Sequence, residues 1–260
     1  MKKNIFKQIF SGIAYGFNQT ILFLEYLLLY IIVNPLFRCK VKGKKNIRKN
    51  DTKVFIANHY EIYGPVAMFL RFPFKFRPWV IDKIMEPESV EAQMSISIYN
   101  NFPKYPKWFK KIAIKFLKNL MVFTMKHAKA ISVSRENPRK NIEAIKISSE
   151  TLEKGTSIAI FPELSYVTSG VGKFQSGFEH IAKYHYQKTG KCISFYPVFI
   201  SEQNKEMYIE KPITYNPEND ANEEKSRIVN SLYESMIDSY VKNECSVPYK
   251  KAKKIKVKRR

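Results

Sequence analysis

Short apolar runs alternate with longer amphipathic stretches along most of the chain after residue 50. The apolar runs have the length and the β-branched or aromatic content of strands. They cover residues 52–57, 78–81, 130–134, 156–161, 193–200 and 206–210. Strands that alternate with helices in this way predict an α/β fold.

Two of the helices between and after these strands have clear sequence signals. Asn137 can cap the first, Pro138 suits its first turn, and Gly155 suits its exit. The second covers about residues 221–241. Its apolar side chains recur every four residues and predict one buried face, made of Ile228, Leu232, Met236 and Tyr240.

The N-terminal segment is apolar from residue 13 to residue 33, with Glu25 as its only charged residue. Its densest part, residues 21–33, would reach only about 20 Å as a helix, whereas the hydrocarbon core of a bilayer is ~30 Å thick. We therefore expect an N-terminal hydrophobic helix that spans a membrane, lies in its interface, or is buried in the protein. If it spans, the basic residues of 38–49 keep the remainder on the cytoplasmic face.

The chain is strongly basic. Lys and Arg number 45 and Asp and Glu 23, which leaves a net charge of +22 and favours polyanionic partners. The sequence shows no nucleic-acid-binding motif, so we expect anionic membrane lipid as a partner and no nucleic acid. The expected divisions are a membrane-associating segment at 1–40, an α/β domain at 41–245 and a polybasic tail at 246–260. The three cysteines, Cys39, Cys192 and Cys245, are too scattered to predict a disulfide framework or a metal site.

The stretch 107–126 is amphipathic in an unusual way. Its apolar residues fall on one helical face, and lysines occupy much of the rest. Two interpretations fit: an ordinary helix with a solvated basic side, or a helix that lies on an anionic membrane. The predicted apolar face consists of Trp108, Ile112, Phe116, Leu120 and Phe123.

Polar residues follow three of the predicted strands, where α/β folds expose reactive groups. His59 ends one strand and could act as a general base near neutral pH, or it could be structural. Glu163 ends another, either as a site carboxylate or as a cap for the turn that follows it. Arg135 ends a third, as an anion contact or as half of a salt bridge. With Lys173 in a glycine-containing loop, this set suits an anionic or phosphorylated substrate.

From about residue 20 to residue 215 the chain resembles the lysophosphatidate (1-acylglycerol-3-phosphate) acyltransferase superfamily. Short blocks similar to those of that family occur in the same order. They are Val-Lys-Gly-Lys-Lys-Asn-Ile at 41–47, Ile-Ala-Asn-His at 56–59, Ala-Ile-Ser-Val-Ser-Arg at 130–135, Phe-Pro-Glu-Leu-Ser at 161–165, Lys-Phe-Gln-Ser-Gly at 173–177 and Tyr-Pro-Val at 196–198. The resemblance implies a mixed sheet flanked by helices.

The resemblance also implies a reaction in which His59 activates an acceptor hydroxyl. The donor would be an acyl-CoA or acyl carrier protein thioester, with no bound cofactor and no metal. Two residues depart from the family pattern: Gly64 stands in place of the Asp that orients the His, and Tyr166 in place of an Arg. Glu61 is the nearest substitute for the orienting acid, or else a surface carboxylate. Arg135, Glu163 and Lys173 are then the expected substrate contacts.

These implications define two functional hypotheses. The first is a membrane-associated O-acyltransferase that acylates a lysophospholipid, lysophosphatidate or related lipid. The second is a catalytically inactive lipid-binding or scaffold protein on the same fold, which the two departures motivate.

Overall fold

The computed structural model describes residues 37–60, 63–85, 88–92, 95, 99, 105–163 and 170–245. The chain divides into two units, Met1–Arg38 and Cys39–Arg260, and only the second is described below. The apolar segment 13–33 and the tail 246–260 lie outside the described residues. In the part of the chain that the structure describes, every helix is too short or too polar to cross a bilayer.

A central mixed sheet organises the described chain. Its strands are β1 (Lys40–Lys42), β2 (Thr52–Ala57), β3 (Phe76–Ile81), β4 (Ile131–Val133), β5 (Ser157–Ile160), β6 (Ile193–Ser201), β7 (Glu206–Ile209) and β8 (Ile213–Thr214). They are ordered β1-β7-β6-β2-β5-β3-β4, and β8 pairs with β6. Strands β2 to β6 run parallel to one another, whereas β7 and β8 are antiparallel to β6. The carboxyl ends of β2 to β6 therefore meet at one edge of the sheet.

Helices connect and flank these strands. They are α1 (Tyr63–Arg71), α2 (Asp82–Met85), α3 (Lys107–His127), α4 (Pro138–Glu153), α5 (His180–Thr189) and α6 (Ala221–Tyr240). The predicted cap of α4 is confirmed, since the Asn137 side chain accepts a hydrogen bond from the Arg139 N–H. At the start of α6, the Asp220 side chain accepts from the N–H groups of Asn222 and Glu223. The predicted mixed α/β sheet flanked by helices is confirmed.

The sheet is covered on both faces, and β2 shows how. Val54 and Ile56 point to one face, where they join a cluster that includes Leu152 of α4, Ile181 of α5 and the α6 residues Ile228, Leu232 and Met236. Phe55 points to the other face and packs against Phe72, Phe74 and Tyr196. All nine residues of β6 are buried. Burial on both sides explains why the central strands are continuous apolar runs in the sequence.

The predicted strands agree with the structure to within about two residues at each end. The sequence did not indicate β1 or β8. Strand β1 has only three residues, two of which are lysines at the sheet edge, and β8 has only two residues. Such short edge strands carry too little pattern to be recognised, although they complete the sheet beside β7 and β6.

Candidate active site

The carboxyl ends of β2 and β5 bring two of the predicted site residues together. Ile56 and Ile160 are register partners in these parallel strands, and His59 and Glu163 each follow three residues later. The backbone N–H of His59 donates a hydrogen bond to a Glu163 carboxylate oxygen, Oε2, over 2.8 Å. The predicted assembly of a histidine and a carboxylate at this edge is therefore present, with the carboxylate bonded to the histidine's main chain.

Glu163 holds two loops at once. Its other oxygen, Oε1, accepts the backbone N–H of Gly172 over 2.6 Å, and its side chain is buried, with the residue only 8% exposed. Burial raises the pKa of Glu163, and the N–H groups of His59, Gly172 and Tyr60 oppose that rise by stabilising the carboxylate. Both oxygens are thus engaged by the protein itself. A direct contact between Glu163 and substrate stays a prediction.

Asn58 is a positioning residue that the sequence interpretation did not single out. Its fully buried side-chain amide donates to the carbonyl of Ile200 over 3.0 Å and accepts the N–H of the same residue over 2.7 Å. This pair of bonds continues the ladder between β2 and β6 beyond its last main-chain partners, Ala57 and Val198. A buried polar residue at the end of an apolar run was the available signal, because such a group has to be hydrogen-bonded.

The turn that follows His59 explains why position 64 is glycine. The Gly64 N–H donates to the His59 carbonyl over 3.1 Å, and the Tyr63 N–H donates to the Tyr60 carbonyl over the same distance. A Cβ atom on residue 64 would lie 2.3 Å from the His59 oxygen and 2.7 Å from the Asn58 oxygen. The main chain occupies the space in which a side chain at position 64 would begin. Tyr60 has a positive φ of 43°, which marks the tightness of the same turn.

The other predicted site residues differ in how close they come to His59. Lys173 is exposed and directly follows Gly172, which Glu163 binds. Its loop is fixed because the Gln175 N–H donates to the Pro162 carbonyl over 2.7 Å. Arg135 is exposed beyond β4, three strand spacings from β2, or roughly 14 Å across the sheet. The structure therefore does not bring Arg135 next to His59.

Glu61 and Tyr166 lie outside the described residues, so the orienting role suggested for Glu61 stays a prediction.

The His59 ring lies partly exposed at this edge and makes an edge-to-face contact with Phe161, with the ring centres 5.5 Å apart. A partly exposed imidazole on a fixed main chain can accept a proton from a bound hydroxyl. His185, by contrast, is buried on α5, where its Nδ1 lies 2.9 Å from the Ser149 hydroxyl oxygen. Among the described residues, no group of three or more His, Cys, Asp and Glu side chains could hold a metal ion.

Comparisons with known proteins return few matches. No protein-family model matches the sequence, and no curated protein matches it. Among solved structures, the fold is similar to that of the 1-acyl-sn-glycerophosphate (LPA) acyltransferase PlsC from Thermotoga maritima. The two chains share 15% sequence identity at a TM-score of 0.47, over 78% of this chain and 73% of that one.

Proposed function

We propose that this protein is a membrane-associated O-acyltransferase with His59 as its general base. It moves a fatty acyl group from an acyl thioester to the hydroxyl of a lysophospholipid, lysophosphatidate or related lipid. The observation that carries the proposal is the hydrogen bond between the His59 N–H and Glu163. It joins two sequence blocks, 56–59 and 161–165, that lie about a hundred residues apart and both resemble blocks of one acyltransferase superfamily.

The proposed step balances without a bound cofactor. The unprotonated nitrogen of the His59 ring accepts the proton of the acceptor hydroxyl as its oxygen attacks the thioester carbonyl carbon. A carbon–oxygen bond forms and the carbon–sulfur bond breaks. The thiolate of coenzyme A or of an acyl carrier protein leaves and takes up the proton from the imidazolium. The products are an acylated lipid and a free thiol.

The charges near the site suit an anionic acceptor. Lys173 is exposed in a loop tied to Glu163 and can neutralise a phosphate next to the reacting hydroxyl. Arg135 lies farther along the same edge, where it would contact a more distant part of a large headgroup or donor. We assign the reaction to the cytoplasmic face of a membrane, with anionic lipid as the surface on which the enzyme works.

The test is acyl transfer by the full-length chain in anionic lipid micelles. Acyl-CoA and acyl carrier protein thioesters serve as donors, and glycerol phosphate and a panel of lysophospholipids as acceptors. We expect His59→Ala to lower turnover by about a hundredfold to ten-thousandfold, because base assistance contributes about that much. His180→Ala is the matched control, since His180 is an exposed histidine on α5. Its turnover should equal that of the wild type.

The same assay separates the alternatives. Glu61→Gln should weaken turnover if Glu61 orients the imidazole, and should leave it unchanged if Glu61 is a surface carboxylate. Wild-type turnover that survives His59→Ala would refute the assigned base. If the wild type acylates none of the acceptors but is stabilised by lipid against heating, the inactive lipid-binding protein becomes the better interpretation.

A further inference from the structure

The amino-terminal half of α3 carries an exposed apolar cluster. Tyr105, Trp108, Phe109 and Ile112 are 52%, 64%, 45% and 61% exposed. Trp108, Phe109 and Ile112 lie on one face of α3, and Tyr105 lies two residues before the helix begins. The rings of Tyr105 and Phe109 stack with centres 5.5 Å apart, and Trp108 meets Phe109 edge to face at 6.0 Å. We call these four residues the aromatic face.

The aromatic face lies away from the buried side chains that the structure describes on α3. Among the side chains of this helix that the structure describes, the buried ones are Lys110, Ile114, Val122 and Met125. Trp108 and Ile112 belong to the predicted apolar face of this helix, and both are exposed. The side chains of the other three members, Phe116, Leu120 and Phe123, lie outside the description. The helix therefore has one apolar stripe against the protein and a second one, rich in aromatic rings, directed to the outside. Clustered exposed apolar side chains of this kind mark an interaction surface.

The charges beside the aromatic face suit an anionic partner. Lys107, Lys111 and Lys115 are exposed and recur every four residues along the flank of the helix beside Trp108. The sequence contains no acidic residue between Glu91 and Glu136. Apolar and aromatic side chains bordered by lysines are the composition of a helix that lies in the interface of an anionic bilayer. Trp and Tyr are also the residues that favour the headgroup level of a membrane.

The direction of α3 puts this face on the same side of the protein as His59. Because β3 and β4 are parallel, the chain must return from the carboxyl edge to the amino edge of the sheet between them. Helix α3 contacts α2, which begins at the carboxyl end of β3, and it ends at His127, just before β4. It therefore runs from the carboxyl edge toward the amino edge. Its amino-terminal half, with the aromatic face, lies toward the edge that carries His59.

We propose that the aromatic face docks into the headgroup region of an anionic bilayer, with Lys107, Lys111 and Lys115 on the lipid phosphates. Docking there turns the carboxyl edge of the sheet toward the membrane. A lipid hydroxyl could then reach His59 without leaving the surface. The docking goes beyond the acyl transfer proposed above, and it can be measured without turnover, so the two proposals can fail separately.

The first test uses tryptophan fluorescence of the full-length chain. The chain has two tryptophans, and the other, Trp79, is partly buried against the core and donates a 2.8 Å hydrogen bond from its Nε1 to the Ser148 hydroxyl. Vesicles of phosphatidylglycerol and phosphatidylcholine should shift the emission to the blue, and brominated phosphatidylcholine in them should quench it. Trp108→Phe should abolish both changes. Trp108 is too exposed for that substitution to unfold the protein.

The second test measures how much protein sediments with the vesicles. Trp108→Ser combined with Ile112→Ser should weaken binding to phosphatidylglycerol vesicles at least tenfold, while Ile142→Ser should not. Ile142 is the matched control because it is 56% exposed on α4, away from the aromatic face. Equal binding by the two variants, or wild-type emission that vesicles leave unchanged, would overturn the proposal. A blue shift that appears without lipid as protein concentration rises would assign the face to a second copy of the chain, and would overturn it as well.

Discussion

Two physical effects predict opposite changes in stability when Gly64 is replaced by alanine. Residue 64 is the second residue of α1 and its φ is not positive, so helix propensity alone would make alanine more stable than glycine by about 0.5–1 kcal/mol. The close approach of the main chain predicts the opposite. The new Cβ would lie 2.3 Å from the His59 oxygen, more than ~1 Å inside a comfortable contact.

The size of the stability loss depends on how far the main chain around His59 has to shift to admit the new Cβ. Overpacking against a main chain that cannot rotate away costs about 1–3 kcal/mol. Losing the bond from the Gly64 N–H to the His59 carbonyl costs about 0.5–1.5 kcal/mol more. After subtraction of the helix gain, Gly64→Ala should lower the free energy of unfolding by about 0.5–4 kcal/mol. Gly64→Asp, which introduces the residue found at this place in the superfamily that the sequence resembles, should be at least as destabilising and should not raise turnover.

Urea unfolding of the wild type, both variants and Gly155→Ala provides the assay. Gly155 is the control because it has a φ of +75° and open space around it, at the amino edge of the sheet. Alanine there should cost about 1–2 kcal/mol through backbone strain and leave acyl transfer unchanged. If Gly64→Ala is as stable as the wild type or more stable, the close approach to His59 is wrong. If Gly64→Asp increases turnover, an aspartate at position 64 assists the proposed reaction and the turn has room for its side chain.

Two further predictions concern the residues that hold the His59 segment. Because burial raises the pKa of Glu163 above its ordinary value of 4.5, the folded protein keeps a proton that the unfolded chain releases, so stability falls as pH rises through the interval above 4.5. Glu163→Gln removes that dependence on pH. Urea unfolding across a pH series should therefore show the wild type losing stability relative to the variant as pH rises. A wild type that gains stability relative to the variant would contradict the raised pKa of Glu163. Asn58→Ala leaves the N–H and carbonyl of Ile200 buried without partners and should cost about 2–5 kcal/mol. Asn58→Asp, of equal size, should be no better, because its carboxylate would face the Ile200 carbonyl; a near-wild-type melting curve for either Asn58 variant would contradict the assigned bonds.

How well the sequence predicts each part of this fold depends on burial. Strands β2, β5 and β6 are buried on both faces, so their apolar runs are continuous and their limits are easy to locate. Periodicity also located α3, but it did not decide whether Trp108 and Ile112 would be packed or exposed. A helix with apolar residues on two sides has two candidate faces, and the sequence does not say which one meets the protein.

The sequence predicts which residues of the candidate site lie close together, because they follow the ends of neighbouring strands. His59 and Glu163 follow neighbouring parallel strands, so their proximity follows from topology. Their chemistry does not, because the groups that bind the carboxylate are backbone N–H groups, which every residue carries. The N–H of Gly172 reaches Glu163 only because the loop returns to pair beside it. No residue type in the sequence indicates that the loop folds back to this position.

The backbone contacts hold the His59 segment in place without an acidic residue at position 64. Asn58 ties the end of β2 to β6 on one side, and the bond from the His59 N–H to Glu163 ties it to the continuation of β5 on the other. The position of the His59 main chain is thus fixed by both neighbouring strands, without a carboxylate at residue 64. Only the orientation and tautomer of the imidazole ring then remain for another acid to control. Glu61→Gln therefore tests a narrower question than His59→Ala. It should change the rate and pH profile of turnover, and leave the fold and lipid binding as they are.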